Sequence, residues 1–273
     1  MAQSHKRVAL VTGASSGIGE ACALRLARGG WRVLAGVRKA GDAPAGTEEV
    51  LLDVTDDEQV CAAADRADEL HGLVNNAGIA VAAPLEAIPV DELRRQLDVN
   101  VVGQVAVTQA LLPALRRARG RVVFVGSVAG RSALPFLGPY AASKHALEAI
   151  GDALRVELAP WGIHVSVVEP GSIATPIWTK GAAIADEIQA RVPEEKLSLY
   201  RDRVEAFRRA AAAAGRRGQS AEKVAEVLEH ALTAERPKTR YLVGRDAKLR
   251  AVFERLPDRA RDRVYERVLF RSS

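Results

Sequence analysis

The sequence predicts an α/β protein, a doubly wound parallel sheet of about seven strands flanked by helices, organised as one domain over residues 1–273. Three observations carry that expectation. Short β-branched runs alternate with longer stretches of helical period, a glycine-rich turn joins the first such pair, and polar residues fall where strands would end. The length suits a single large α/β domain, and no repeat, linker or low-complexity stretch divides it.

The elements follow in order. Residues 7–12 read as the first strand and 20–28 as an amphipathic helix. Further strands are expected at 32–37, 49–52, 73–75, 122–126, 164–168 and 240–243. Helices are expected near 57–69, over one long run at 91–117, and at 139–160. From about 172 to 217 the pattern loosens into charged helical stretches broken by Pro176 and Pro193. Ser220 stands where it would cap a helix over 221–234, and a helical tail over about 245–273 is interrupted by Pro257. In such sheets crossovers are right-handed, so helices cover both faces and a ligand lies beyond the carboxyl ends of the strands.

Charge and cysteine usage narrow the partners. Lys and Arg outnumber Asp and Glu by 39 to 34, and from Arg201 onward the counts are 19 and 11, so the basic surplus sits in the C-terminal third. It reads as a solvated helical face or, less simply, as a docking patch for an acidic carrier, a membrane surface or nucleic acid. The basic residues lack interleaved aromatics, which argues against single-strand nucleic-acid binding, and no nucleic-acid partner is expected. No apolar run is long enough to cross a bilayer and residues 1–6 are polar, so a cytoplasmic location without an integral membrane segment is expected. Cys22 and Cys61 fall in helical runs, with no Cys-x-x-Cys and no clustered His. Both read as packing residues, and no metal site is expected.

Two constellations carry chemistry. The first is Thr12-Gly13-Ala14-Ser15-Ser16-Gly17-Ile18-Gly19, between strand and helix. Gly13 permits a tight turn, Gly17 lets a pyrophosphate approach the backbone, and Gly19 lets helix and sheet pack closely, with helix-terminal amides facing the anion. The second is Tyr140-Ala141-Ala142-Ser143-Lys144, preceded by Ser127 and Asn100. On a helix, Tyr140 and Lys144 stand one turn apart. A phenol of ordinary pKa about 10 beside an ammonium is drawn towards neutrality, and such a phenol exchanges a proton with an alcohol or ketone oxygen. Alone, the pair would read as a surface contact; with its companions it reads as a proton-transfer apparatus.

Taken together and in order, residues 12–19, Asn75-Asn76-Ala77-Gly78, Asp98-Val99-Asn100, Ser127, Tyr140 with Lys144, and Pro170-Gly171 resemble the short-chain dehydrogenase/reductase family over nearly the whole chain. The resemblance implies a Rossmann-like fold and an NAD(P)-dependent oxidoreductase. By it, Tyr140 is the general acid/base and Ser127 donates to the substrate oxygen. Lys144 lowers the Tyr140 pKa and bonds the nicotinamide ribose. Asn100 either holds a water in a proton relay or makes a structural backbone bond.

The same resemblance places Ser15, Ser16 and Ile18 with the three glycines at the cofactor. Asp53 and Val54 would meet the adenine, and Asn76, Ala77 and Gly78 the adenosine and ribose side. Ile173 and Thr175 would hold the carboxamide, next to Pro170 and Gly171. Strand two ends at Val37 without the carboxylate of NAD-preferring relatives, and Arg38 follows, so NADP(H) is expected over NAD(H) although Ser16 is neutral.

A substrate wall of Ser127, Leu134, Phe136, Tyr140, Ile177 and Trp178 is mostly apolar, and residues 172–217 are either a surface helical insertion or, as the resemblance implies, a mobile lid over the substrate. It suggests a small hydrophobic secondary alcohol, ketone or aldehyde of steroid or retinoid type. Segments 140–155, 168–178 and 239–256 look like the retinol and hydroxysteroid dehydrogenase branch, and the family implies a homodimer or homotetramer. A 3-ketoacyl-carrier-protein reductase is the alternative reading; a non-catalytic protein that senses dinucleotides is a lesser one.

Overall fold

A computed structural model describes residues 6–270. Residues 1–5, most of the polar start, and 271–273, the end of the tail, lie outside the described residues. Seven strands form one sheet: β1 (Val8–Thr12), β2 (Arg32–Val37), β3 (Glu48–Leu51), β4 (Gly72–Asn75), β5 (Arg121–Val125), β6 (His164–Pro170) and β7 (Arg240–Val243). Their order is β3-β2-β1-β4-β5-β6-β7 and every pairing is parallel. The chain winds outward from β1 to β3, returns to β4 beside β1, and winds to the other edge. The carboxyl ends of β1 and β4 therefore open a crevice, the place where such sheets bind ligands.

Strands covered on both faces must be apolar on both, and β1 and β4 are buried along almost their whole length. Alternate residues of β1 serve opposite cores. Ala9 and Val11 pack with Cys22 and Leu26 of α1 (Gly17–Arg28) and Val224 and Leu228 of α9 (Ala221–Thr233). Leu10 packs on the other side with Leu111 and Leu115 of α4 (Gly103–Ala118) and Leu147 of α5 (Gly138–Glu157). Each fully buried leucine contributes about 1.5–3 kcal/mol relative to exposure, so the two cores fix the sheet against its helices.

Four expectations need correction. The helix at 57–69 stops early, as α2 (Asp57–Ala64). The single helix at 91–117 is two, α3 (Val90–Leu97) and α4, joined by a π turn over Asp98–Val102. The cause is tertiary: Asn100 is wholly buried, accepting from Ile79 N at 2.8 Å and donating to Ile79 O at 3.0 Å, and one widened turn brings it there. Ser220 occupies the N-cap position of α9, but its hydroxyl makes no capping bond. Cys22 is a packing residue whose thiol burial pushes up to about 12, with Glu229 adding to the rise, whereas Cys61 is exposed because α2 turns Val60 and Ala63 inward instead.

The segment after β6 forms α6 (Ile177–Arg191), α7 (Glu194–Ser198) and α8 (Arg201–Arg216); α10 (Arg245–Phe253) and α11 (Asp258–Phe270) follow β7. α11 lies on α8, with Arg203 paired to Glu266 at 2.8 Å. α10 is fastened to the end of β6: Asp246 Oδ2 accepts from Ser172 N at 2.6 Å, and a Cβ on Gly171 would stand 2.3 Å from Asp246 Oδ1. Among the described residues no helix is long and apolar enough to cross a membrane.

Candidate active site

The crevice is held open by Thr12. Its hydroxyl, at the end of β1, accepts from the backbone N–H of Asn76 and of Ala77, both at 2.9 Å, while Asn76 Nδ2 donates back to Thr12 O at 2.9 Å and Gly13 O at 3.2 Å. Gly13 and Gly17 both adopt φ +64°, a left-handed conformation that glycine takes without penalty. A Cβ on Gly19 would lie 2.2 Å from Gly13 O, so helix and turn touch backbone to backbone. Ser16 stands at the N-cap of α1 and its side chain caps nothing, which leaves the first-turn amides facing the cleft. That cradle fits the pyrophosphate of a dinucleotide.

Gly13, Ser15, Ser16, Gly17, Ile18, Arg38, Asp53, Val54, Asn76, Ala77, Gly78, Pro170, Gly171, Ile173 and Thr175 all line one cleft of about 670 Å³, with Gly19 packed behind them. Asp53 braces its own loop, accepting from Thr55 N at 3.0 Å and Thr55 Oγ1 at 2.7 Å. One contact had no signal in the sequence: Lys180 of α6 donates to Ser16 Oγ at 3.3 Å, bringing an ammonium from 164 residues away to the turn.

Tyr140, Lys144, Ser127 and Asn100 line the same cleft. Ser127 precedes a single 3-10 turn (Val128–Gly130) and accepts from Ala129 N at 3.1 Å, which fixes its hydroxyl. Lys144 is 4% exposed; its Nζ donates to Val125 O at 2.7 Å and lies 5.7 Å from the centre of the Tyr140 ring. Between them, Ser143 donates to Tyr140 O at 2.7 Å and accepts from Asn100 Nδ2 at 3.1 Å. The Asn100 side chain is thus fully engaged in holding Ile79 and α5 in place.

The electrostatics differ from the sequence expectation. Burial pushes Lys144 down to about 8, with Glu148 opposing, because a buried ammonium loses its hydration. Burial likewise raises Tyr140 above the usual phenol value, while the Ser127 hydroxyl bonded to it and the charge of Arg250 pull it back. The lowering expected from Lys144 is not found: the groups that pull Tyr140 down are Ser127 and Arg250, and the Lys144 ammonium is directed at the Val125 carbonyl.

Of the apolar wall, Leu134, Ile177 and Trp178 line the cleft. Phe136 does not. It sits at φ +65° and lines an adjoining apolar cavity of about 1030 Å³, its ring edge-on to Tyr200, Phe207 and Phe270. Trp178 borders both spaces and is anchored by Nε1 donating to Ile173 O at 2.9 Å. The C-terminal extension also reaches the cleft, through Arg250 and Leu269. Neither residue carries a local sequence signal.

A glycine cradle at the switch point, facing a cluster of half-buried Tyr140 with buried Lys144 and Ser127, defines a dinucleotide-dependent oxidoreductase of the α/β class. The sequence matches the short chain dehydrogenase family over residues 7–184, and the chain belongs to that family as an NAD(P)-dependent dehydrogenase or reductase. It is 41% identical over 266 residues to retinol dehydrogenase 5 of Mus musculus, covering 88% of this chain and 81% of that one. It is 36% identical over 278 residues to the NADPH-dependent 3-dehydrocapnine reductase of Ornithobacterium rhinotracheale, covering 95% and 96%. A short chain dehydrogenase from Burkholderia cenocepacia J2315, solved in complex with NADP, superposes with a TM-score of 0.75 at 28% identity over 97% of this chain and 98% of that one.

Proposed function

We propose that the protein interconverts a hydrophobic ketone or aldehyde and its alcohol, using NADP(H) in preference to NAD(H). The observation that carries the substrate class is the apolar cavity of about 1030 Å³ that opens beside Tyr140's cleft and shares Ile177, Trp178 and Phe207 with it. A long apolar substrate buried there places only its oxygen among polar groups. Retinol dehydrogenase among the relatives supports the same class.

When bound, the nicotinamide supplies or accepts the hydride. Tyr140 gives its phenolic proton to the carbonyl oxygen in reduction and takes it back in oxidation. Ser127 donates to the same oxygen and stabilises the charge that develops on it. Lys144 orients the cofactor ribose, and its charge offsets the phenolate as the proton leaves. Asn100 and Ser143 hold α5 at the correct height, and residues 172–217 act as the lid. Gly13, Gly17, Gly19 and the amides of Ser15, Ser16 and Ile18 would receive the pyrophosphate, Asp53 and Val54 the adenine, Asn76 to Gly78 the ribose side, and Pro170, Gly171, Ile173 and Thr175 the carboxamide side.

For the extra phosphate, the end of β2 carries exposed Arg38 and no acid, and Lys180 supplies beside Ser16 a positive charge that the turn itself lacks. The names of the NADPH-dependent relative and the NADP complex agree with this preference. Arg38→Asp is expected to lower the NADP(H)-to-NAD(H) ratio of kcat/KM by about ten- to a hundredfold, the worth of one charge-assisted contact. An unchanged ratio would remove Arg38 from the reading.

The reading also includes a homodimer or homotetramer at work in the cytoplasm, which light scattering and cell fractionation would check. The direct test is NADPH oxidation with retinal, steroid ketones, aromatic ketones and acyl thioesters. Turnover of the apolar carbonyls is expected; turnover confined to carrier thioesters would transfer the protein to the ketoacyl reductases.

A further inference from the structure

Among the described residues, Arg250 is the one guanidinium that the C-terminal extension places in the cleft, which Ser127, Tyr140, Leu134 and Leu269 also line. Its Nη2 donates to Ser132 O at 2.9 Å and to Ser132 Oγ at 3.1 Å, and Ser132 is itself buried, so the planar group is held on a fixed mount. Its Nε is buried and has no acceptor among the described residues, and no carboxylate among them lies within ion-pair distance of Arg250. Most other arginines with restricted exposure are paired: Arg131 and Arg240 with Glu169, Arg261 with Glu254. With Nη2 committed to Ser132 and Nε enclosed, Nη1 is the nitrogen left to meet a ligand, and a charged donor there is worth about 1.5–3 kcal/mol to an oxyanion.

The surroundings define what such an anion would be attached to. Lys144, the other cation beside Tyr140, is committed to Val125 O. The acids that line the cleft, Asp53, Asp91 and Asp98, belong to the loop after β3, to α3 and to the π turn, whereas the substrate wall is apolar. Arg250 lies close enough to Tyr140 for its charge to lower the phenol pKa.

We propose that Arg250 is a substrate-binding residue that takes a carboxylate or sulfonate a few bonds from the reacting carbonyl, so that the preferred substrates are anionic amphiphiles whose alkyl part fills the apolar cavity. This rests on the carbonyl-reductase reading and narrows it: neutral lipids fit the cavity but offer the Arg250 charge no counter-ion, whereas an acid does both. Leu269 and Phe270 close the space from the same extension, the first in the cleft wall and the second against Phe136.

The experiment compares 4-oxododecanoic acid with its methyl ester as substrates for the enzyme with NADPH. Wild type is expected to favour the acid by about ten- to a hundredfold in kcat/KM, the range of one charge-assisted pair. In Arg250→Met that ratio collapses towards one, mainly through KM for the acid; Arg250→Gln keeps a donor for Ser132 and reads the same ratio should the first variant not fold. No preference in wild type, or an equal loss on acid and ester, overturns the assignment. A calorimetric titration of dodecanoate and dodecanol into the enzyme with NADP⁺ separates the two levels of the argument. Tighter binding of dodecanoate that vanishes in Arg250→Met, without carbonyl turnover, keeps the anion site and removes the reductase reading; equal affinities remove the anion site.

Discussion

The rim of the sheet and the helices after β6 are built to different standards. At the rim, Thr12, Asn100, Ser143 and Lys144 are buried and each is tied by hydrogen bonds to a neighbouring element. In α6 to α8 only Gly181, Ala185, Ile188 and Phe207 are buried, α7 buries nothing, and ion pairs such as Arg208 with Asp186 are exposed. Exposed pairs contribute little to stability, whereas a buried bonded network rigidifies. On the proposed function the difference separates reaction from selection: the geometry for proton transfer is over-determined, and the surface that would choose the substrate is held by few buried residues.

The largest effect should come from the rim's one reacting group. Tyr140→Phe is expected to keep its circular dichroism and NADPH affinity while kcat for reduction falls about a thousandfold, within the range for a general acid. Normal turnover would place the proton donor elsewhere. Next in size, Gly19→Ala drives a methyl onto Gly13 O and should cost about 3 kcal/mol or more in urea unfolding, with loss of cofactor binding.

A smaller effect is set by Lys144. With its pKa near 8, NADP(H) affinity should hold below that pH and weaken above it by up to about tenfold per unit, read by fluorescence titration. The sign for folding is opposite. A lysine whose native pKa is depressed favours the native state as pH rises from about 8 to the ordinary 10.5, where the unfolded chain binds the extra proton. The smallest effect belongs to the helices after β6: Gly215→Ala meets only Trp178 at 3.7 Å and should stabilise α8 by about 0.5–1 kcal/mol. A destabilisation there as large as that of Gly19→Ala would erase the contrast between the two regions.

Much of the sheet was legible because its strands are buried on both faces and so read as unbroken apolar runs, as β1 and β5 do. The turn at residues 12–19 was legible because its glycines are demanded locally by a left-handed backbone and a close approach. The π turn was not, since Asp98-Val99-Asn100-Val101-Val102 holds no glycine or proline and the distortion answers to Ile79, on the far side of α3. Phe136 at positive φ and Lys180 at Ser16 were hidden for the same reason. The electrostatics of Tyr140 misled the sequence argument because spacing reports which charges are near, and burial decides how much water remains.

The fastening of Asp246 to Ser172 has a consequence for synthesis. A chain emerging from the ribosome has its glycine cradle, its phenol and its ammonium in hand by residue 144, yet the wall beside them is pinned by Asp246 and lined in part by Leu269. On the proposed function, birth order thus separates holding a nucleotide from handling a substrate, and a polypeptide cut short in its last helix is expected to do the first alone.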